Sequence, residues 1–235
     1  MTRIDISTWG MFVIGDLLNK LDLKIIKEDF DKRIDTSLEK NNEFSLPLIN
    51  AKDGNNGIMY YGREADFESA EMCLDIVQNG AVATGNVYAQ IQKTGVLWDA
   101  YLVKPKDNIS KYALLFLSRI VQKSIKKKFN YDNKAIWDKV KLEVIPLPQD
   151  KQGKPNWIYM DLYMREIEKK AQKNSWKSYG DYRIRLLGQN NIWCRSASLS
   201  NEYLYRVPIL RRYSYNELYH TTNNKVSKHR RPLRK

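Results

Sequence analysis

The sequence predicts an α/β (α+β) protein: a twisted, mostly antiparallel sheet with one long helix packed on it, then a shortened second helix and a basic tail. Three observations predict this. Short apolar runs at residues 74–77, 87–91 and 96–103 are separated by turn residues, as expected of neighbouring strands. Leu114, Leu117, Val121 and Ile125 recur at 3–4 spacing behind Ser110, which gives one amphipathic helix with a side-chain cap. Composition then changes abruptly. Residues 1–172 hold 26 Lys+Arg against 24 Asp+Glu, whereas residues 173–235 hold 14 against 3.

Taken in order, residues 12–14 read as a short strand and residues 16–20 as a turn of helix, with Trp9, Phe12, Ile14, Leu17 and Leu18 as the apolar set. Residues 23–43 are charged and aperiodic, which predicts a surface loop or weak helix. Residues 44–49 form a strand candidate that Pro47 assigns to an edge. Ala51-Lys52-Asp53-Gly54-Asn55-Asn56-Gly57 is a turn, because Asp-Gly and Asn-Gly pairs favour positive φ, and residues 58–61 resume the sheet. Between the 74–77 and 87–91 strands lies a small-residue hairpin with Gly80 and Gly85 at its ends. The long helix runs from Lys111 to about Lys128, with Lys126, Lys127 and Lys128 suited to the negative end of its dipole. An aromatic, amide-rich loop follows at 129–137, and a last strand at 140–147. Asn156 caps a helix over 157–172, whose seam is Ile158, Leu162, Tyr163 and Ile167 and which Ser175, Ser178 and Gly180 end near Lys173. The expected organisation is a domain over 1–150, a helix over 151–173, and a Tyr/Arg-rich tail over 174–235, either of different origin, as a frameshift or recombination would leave, or a basic arm that grips phosphates.

Catalytic motifs are missing from the sequence. It contains no P-loop, no nucleophile elbow, no Asn/Asp-Pro-Pro-aromatic run and no Gly-rich loop for a methyl donor. Cys73 and Cys194 stand far apart, and His220 and His229 lie outside zinc-ligand spacing. No signal segment or apolar run of spanning length is present, so the expectation is a cytoplasmic, non-catalytic protein with no membrane association and no cofactor of its own.

The polar residues on turns suit nucleic-acid binding, in which phosphate contacts set the register and side chains that reach base edges specify the sequence. Asn86, Tyr88 and Gln90 alternate onto one face of a strand. The expected contacts are Lys52, Asn55 and Asn56 on the Asp-Gly/Asn-Gly turn; Tyr61 and Arg63 after it; Thr84, Asn86, Tyr88, Gln90 and Lys93 along the hairpin; and Tyr131, Asn133 and Lys134 after the long helix. Asn and Gln match adenine, Arg matches guanine, and Lys126 to Lys128 suit phosphates. The blander readings are a plain turn, tyrosines packed on the sheet and a charged helix end.

The run from Asn79 to Gln90 and on through Trp98 to Val103 resembles the target-recognition domain of the DNA specificity (S) subunits of type I, and related type IIG/IIB, restriction-modification systems. Trp9 to Leu18, Leu46 to Ala51 with Gly57 to Arg63, and Val140 to Met164 carry the same resemblance, in order, over roughly residues 9–172. It implies a sequence-specific reader of double-stranded DNA that directs adenine methylation and cleavage by partner subunits. Methyltransferase subunits would bring S-adenosylmethionine, a restriction subunit would bring ATP-driven cleavage, and a second copy would pair through the spacer helix. Two rival expectations stay open: a nuclease or other nucleic-acid enzyme, and an interaction module whose tail binds polyanions.

Overall fold

The computed structural model describes Ile6, Ser7 and residues 9–187, with side chains through Lys173. The chain divides into two compact units, Met1–Asp181 and Tyr182–Lys235. Most of the second, with residues 188–235 of the Tyr/Arg-rich tail and Cys194, lies outside the described residues.

The first unit begins with β1 (Trp9–Val13), the single turn α1 (Ile14–Leu17) and β2 (Leu18–Lys20). Then come α2 (Lys32–Asp35), β3 (Thr36–Ser37), β4 (Leu46–Ile49) and β5 (Ile58–Gly62), followed by β6 (Cys73–Val77), β7 (Val87–Gln90), β8 (Gly95–Val96) and β9 (Ala100–Pro105). The rest is α3 (Lys111–Ile125), α4 (Trp137–Val140), β10 (Val144–Pro148) and α5 (Trp157–Leu187). Among the described residues three sheets form where one was expected. Their strand orders are β1-β10, β2-β9-β6-β7 and β3-β5-β4-β8, antiparallel throughout except for the β4–β8 pair.

The central sheet positions the site. Its two faces follow from register: Asp75 opposes Tyr88 and Leu102, while Leu74 opposes Ala89 and Val103. The apolar face of Leu74, Ile76, Val87 and Ala89 lies toward α3, whose stripe of Leu114, Leu117, Val121 and Ile125 is wholly buried as expected. Ser110 caps α3 by accepting from Ala113 N at 3.2 Å. The other face packs Cys73, Ala100 and Leu102 against Ile49 of the neighbouring sheet, and it carries the Asn86, Tyr88, Gln90 row.

Several expected elements are corrected. The 96–103 strand is two: β8 belongs to one sheet and β9 to another, so residues 97–99 form the corner between them and Trp98 is 56% exposed rather than core. Pro47 is not on an edge strand, because β4 lies between β5 and β8; β8 pairs only with Leu48 and Ile49, so no ladder bond is asked of Pro47 on that side. Val140 is helical, and the last strand takes up Pro146 and Pro148 as pairs of Met11 and Trp9, a placement open to proline in a two-stranded sheet. α5 does not stop at Lys173 but reaches Leu187, since one glycine costs a helix only about 1 kcal/mol. Its buried face is Met160, Met164 and Ile167, whereas Ile158 and Leu162 are exposed. α5 is tied to α3 by an Asp161–Ser110 hydrogen bond, by Tyr112 donating to Glu168 at 2.6 Å and by the Tyr163 ring edge-on to Phe116.

Candidate nucleic-acid interface

Four loops gather at one end of the central sheet: residues 50–57, 78–86, 97–99 and 129–135. Gln78 joins three of them. Its backbone N–H reaches Asp99 O at 3.0 Å, its side chain donates to Trp98 O at 2.8 Å, and its carbonyl accepts from Ala135 N at 3.0 Å. Asn50 Oδ1 accepts from Asp99 N at 2.9 Å, which brings in the fourth. Nothing in the sequence marks Gln78 for this role, because its partners are backbone groups 20, 21 and 57 positions away.

The 50–57 loop is the most constrained part of the site. Gly54, Asn55, Asn56 and Gly57 have φ of 83°, 46°, 52° and 79°, four consecutive positive values that the Gly-Asn-Asn-Gly sequence tolerates. The row on β7 clamps this loop from beneath. Tyr88 Oη accepts from Gly54 N at 2.9 Å, and Asn86 Nδ2 donates to Asp53 Oδ1 at 2.8 Å. Gln90 Nε2 donates to Asn56 O at 2.7 Å, while Asn56 Nδ2 returns to Ala89 O at 3.1 Å. Burial raises the Tyr88 hydroxyl above its ordinary pKa, partly offset by the Gly54 N–H, so it stays a neutral acceptor and donor.

Asp75 lies under the same loop, fully buried, and neither of its oxygens has a hydrogen-bond partner. A Cβ on Gly57 would come within 2.1 Å of Asp75 Oδ2, so only glycine fits above it. Burial pushes the Asp75 carboxyl well above the usual carboxylate range, which favours the neutral acid. The thiol of neighbouring Cys73 is pushed up to about 12, chiefly by burial and then by Asp75. The hairpin is fixed to α3 in turn. Lys126 Nζ donates to Val82 O at 2.6 Å and Thr84 O at 2.9 Å, and burial lowers its pKa against the opposing field of Asp53.

The expected contacts therefore separate into groups. Thr84, Asn86, Tyr88 and Gln90 are buried, at 3%, 3%, 6% and 1% exposure, with their polar atoms engaged inside the protein. The shared face inferred from alternation is present, but a loop 33 to 36 positions earlier covers it, so the row presents no edge to solvent. Asn55 is exposed at the loop tip and Lys52 is half-buried beside it. Tyr131, Asn133 and Lys134 are exposed on the 129–135 loop, where Asn133 also holds Lys128 O and accepts from Lys139. Tyr61 and Arg63 stand at the opposite end of β5. There Arg63 pairs with Asp35 at 3.0 Å, Glu43 at 2.6 Å and Asp66 at 3.2 Å. Lys93 is exposed on the turn leaving the far end of β7. Of the helix-end lysines, Lys126 is spent on the hairpin and Lys128 pairs with Glu143.

Among the described residues, no group of three or more His, Cys, Asp or Glu is placed to hold a metal ion, and no helix is long and apolar enough to cross a membrane.

The fold is thus a mixed α/β domain with four loops tied to one another by hydrogen bonds at one end of its central sheet. Residues 6–175 match the Type I restriction modification DNA specificity domain, and the chain belongs to that family. It is 29% identical over 128 residues to S.BcgI, the specificity subunit of a type II restriction enzyme from Heyndrickxia coagulans, a match that spans 54% of this chain and 37% of the relative. Among solved structures it is similar to the S subunit of a type I restriction-modification system from M. genitalium, at 17% identity and a TM-score of 0.46, over 80% of this chain and 47% of that one. It is also similar to the HsdS subunit from Thermoanaerobacter tengcongensis, at 15% identity and a TM-score of 0.43, over 72% and 39%. The chain thus spans less than half the length of each.

Proposed function

We propose that this chain reads DNA sequence for a restriction-modification complex and leaves the chemistry to partners. The observation that carries the reading is the convergence of loops 50–57, 78–86, 97–99 and 129–135 at one end of a domain of the DNA specificity family. Exposed groups on those loops would enter a groove of the duplex: Asn55 and Tyr131 toward base edges, Lys52 and Lys134 toward phosphates. The buried Asn86, Tyr88 and Gln90, together with Asn56, would hold the 50–57 loop in shape, and Thr84 the 78–86 hairpin, without touching a base.

Methyltransferase subunits, carrying S-adenosylmethionine, would dock on this domain and on α5 and flip an adenine for N6 methylation. A restriction subunit would supply ATP-dependent cleavage, and all of this would take place in the cytoplasm. One recognition domain reads half of a two-part site, so a second domain, or a second copy packed along α5, completes it.

Mapping methylated adenines in the presence of the cognate methyltransferase tests this reading. The methylated sequence should change when residues 51–57 are exchanged for the equivalent loop of another family member. An unchanged pattern, or equal affinity of the wild-type complex for every duplex, would sink it.

A further inference from the structure

Asp53 was invisible as a candidate in the sequence, where it is simply the first residue of a turn pair. In the structure its side chain is exposed at the loop tip, between Lys52 and Asn55. One oxygen is held: Asn86 Nδ2 donates to Asp53 Oδ1 at 2.8 Å, and Asn86 is itself buried and lies 3.1 Å from Tyr88 Oη. Tyr88 in turn accepts from Gly54 N, so the backbone next to the carboxylate is fixed as well. A side chain in a solvent-exposed turn is ordinarily free to rotate. This one is aimed by two buried polar groups whose hydrogen bonds go to the loop.

We propose that Asp53 is a specificity-determining residue that accepts a hydrogen bond from an exocyclic base amine, cytosine N4 or adenine N6, in the major groove. The inference rests on the reading that these loops enter a groove. A carboxylate is acceptor-only and carries up to four lone-pair sites, so its second oxygen keeps its capacity when Asn86 holds the first. Phosphates repel it, and guanine and thymine offer only acceptors and a methyl group at their major-groove edges. In the major groove, the amines of cytosine and adenine are therefore the base groups it can bond favourably. The pinned geometry makes that contact selective, because the acceptor cannot swing away to avoid a wrong base.

The test is selection from a pool of random-sequence duplex DNA, using the full chain alone and with its cognate methyltransferase, for wild type, Asp53→Asn and Asp53→Ala. Wild type should enrich a motif that demands cytosine or adenine at one position; Asp53→Ala should lose about tenfold discrimination at that position alone, and Asp53→Asn should lose it for cytosine. Their affinity for random duplex should stay level or rise, since a charge that repels phosphates is gone. A second arm is decided on wild type, so it does not depend on how the variants fold. Duplexes in which the amine of the demanded base is removed, as 2-pyrimidinone for cytosine or purine for adenine, should bind wild type about tenfold more weakly, and a folded Asp53→Ala should bind them as it binds the parent duplex. If wild type enriches a motif but loses no affinity on removal of any cytosine or adenine amine, the proposal is overturned while the DNA-reading function stands. If wild type enriches no motif, the reading of the whole site fails, and this proposal fails with it.

Discussion

The two ends of β5 are held by opposite chemistries. At the end near Gly57, neutral groups do the holding: a phenol and three amides bond the loop, and an unpartnered acid lies beneath it. At the other end, charges do it. Buried Asp35 accepts from Lys27 Nζ at 2.5 Å, from Asp31 N at 2.8 Å and from Arg63 at 3.0 Å, while Arg63 also reaches Glu43 and Asp66. Every group in the charged knot has a partner, whereas the neutral end keeps a carboxyl with none. Polar groups are costly to bury unsatisfied, so the expense is concentrated beneath the loop proposed to read DNA.

That contrast can be broken most severely at Gly57. Gly57→Ala should destabilise by about 2–5 kcal/mol, because it adds a left-handed strain to a contact with Asp75 that cannot be accommodated. Gly153→Ala has nearly the same φ and nothing within 4 Å, so it should cost only about 1–2 kcal/mol in chemical denaturation.

Asp75→Leu should do the reverse and stabilise by about 1–3 kcal/mol at pH 7, since an unpaired polar group leaves the interior. The sign of its pH dependence follows from the raised pKa. The folded state holds the Asp75 proton where the unfolded chain, at the ordinary value of 3.8, has released it, so wild-type stability falls as pH rises above that value. The advantage of the leucine variant should therefore shrink as pH is lowered toward 4, and a constant gap would refute the assignment.

Tyr88→Phe should cost about 1 kcal/mol, one net hydrogen bond, and should raise amide exchange at Gly54. Asp35→Asn should also destabilise, read in urea melts, because a single amide oxygen replaces the two carboxylate oxygens that accept from Lys27, Asp31 N and Arg63. The hydrogen bond from Lys27, then the Asp31 N–H and Arg63, holds the Asp35 carboxyl below the usual carboxylate range. Its contribution is thus complete above the ordinary value of 3.8 and is lost as pH falls through the lower folded one, the opposite direction from Asp75. Urea melts between pH 3 and 7 would separate the two.

What the sequence made legible was local. The stripe and cap of α3 need only neighbours within one helix, and the β6–β7 hairpin needs only two apolar runs and the glycines between them. Alternation placed Asn86, Tyr88 and Gln90 on one face, but no local pattern says whether such a face meets solvent or a loop from β4. The same limit hid Arg63, whose partner Asp35 lies 28 positions away, and it hid Asp53, whose aim comes from a strand 33 positions on. Trp98 looked like core because its neighbours are apolar, yet the chain changes sheets at that point and leaves the ring outside. α5 ran past its expected end because single small residues weaken a helix without stopping it.

α3 is fastened at both ends. At its C-terminal end Lys126 holds the hairpin carbonyls, and near its N-terminal end Ser110 and Tyr112 bond Asp161 and Glu168 of α5. Fifteen helical residues make a strut of roughly 22 Å. The first turns of α5 and the hairpin are thus joined through one continuous helix, with side-chain bonds rather than a flexible segment at either end.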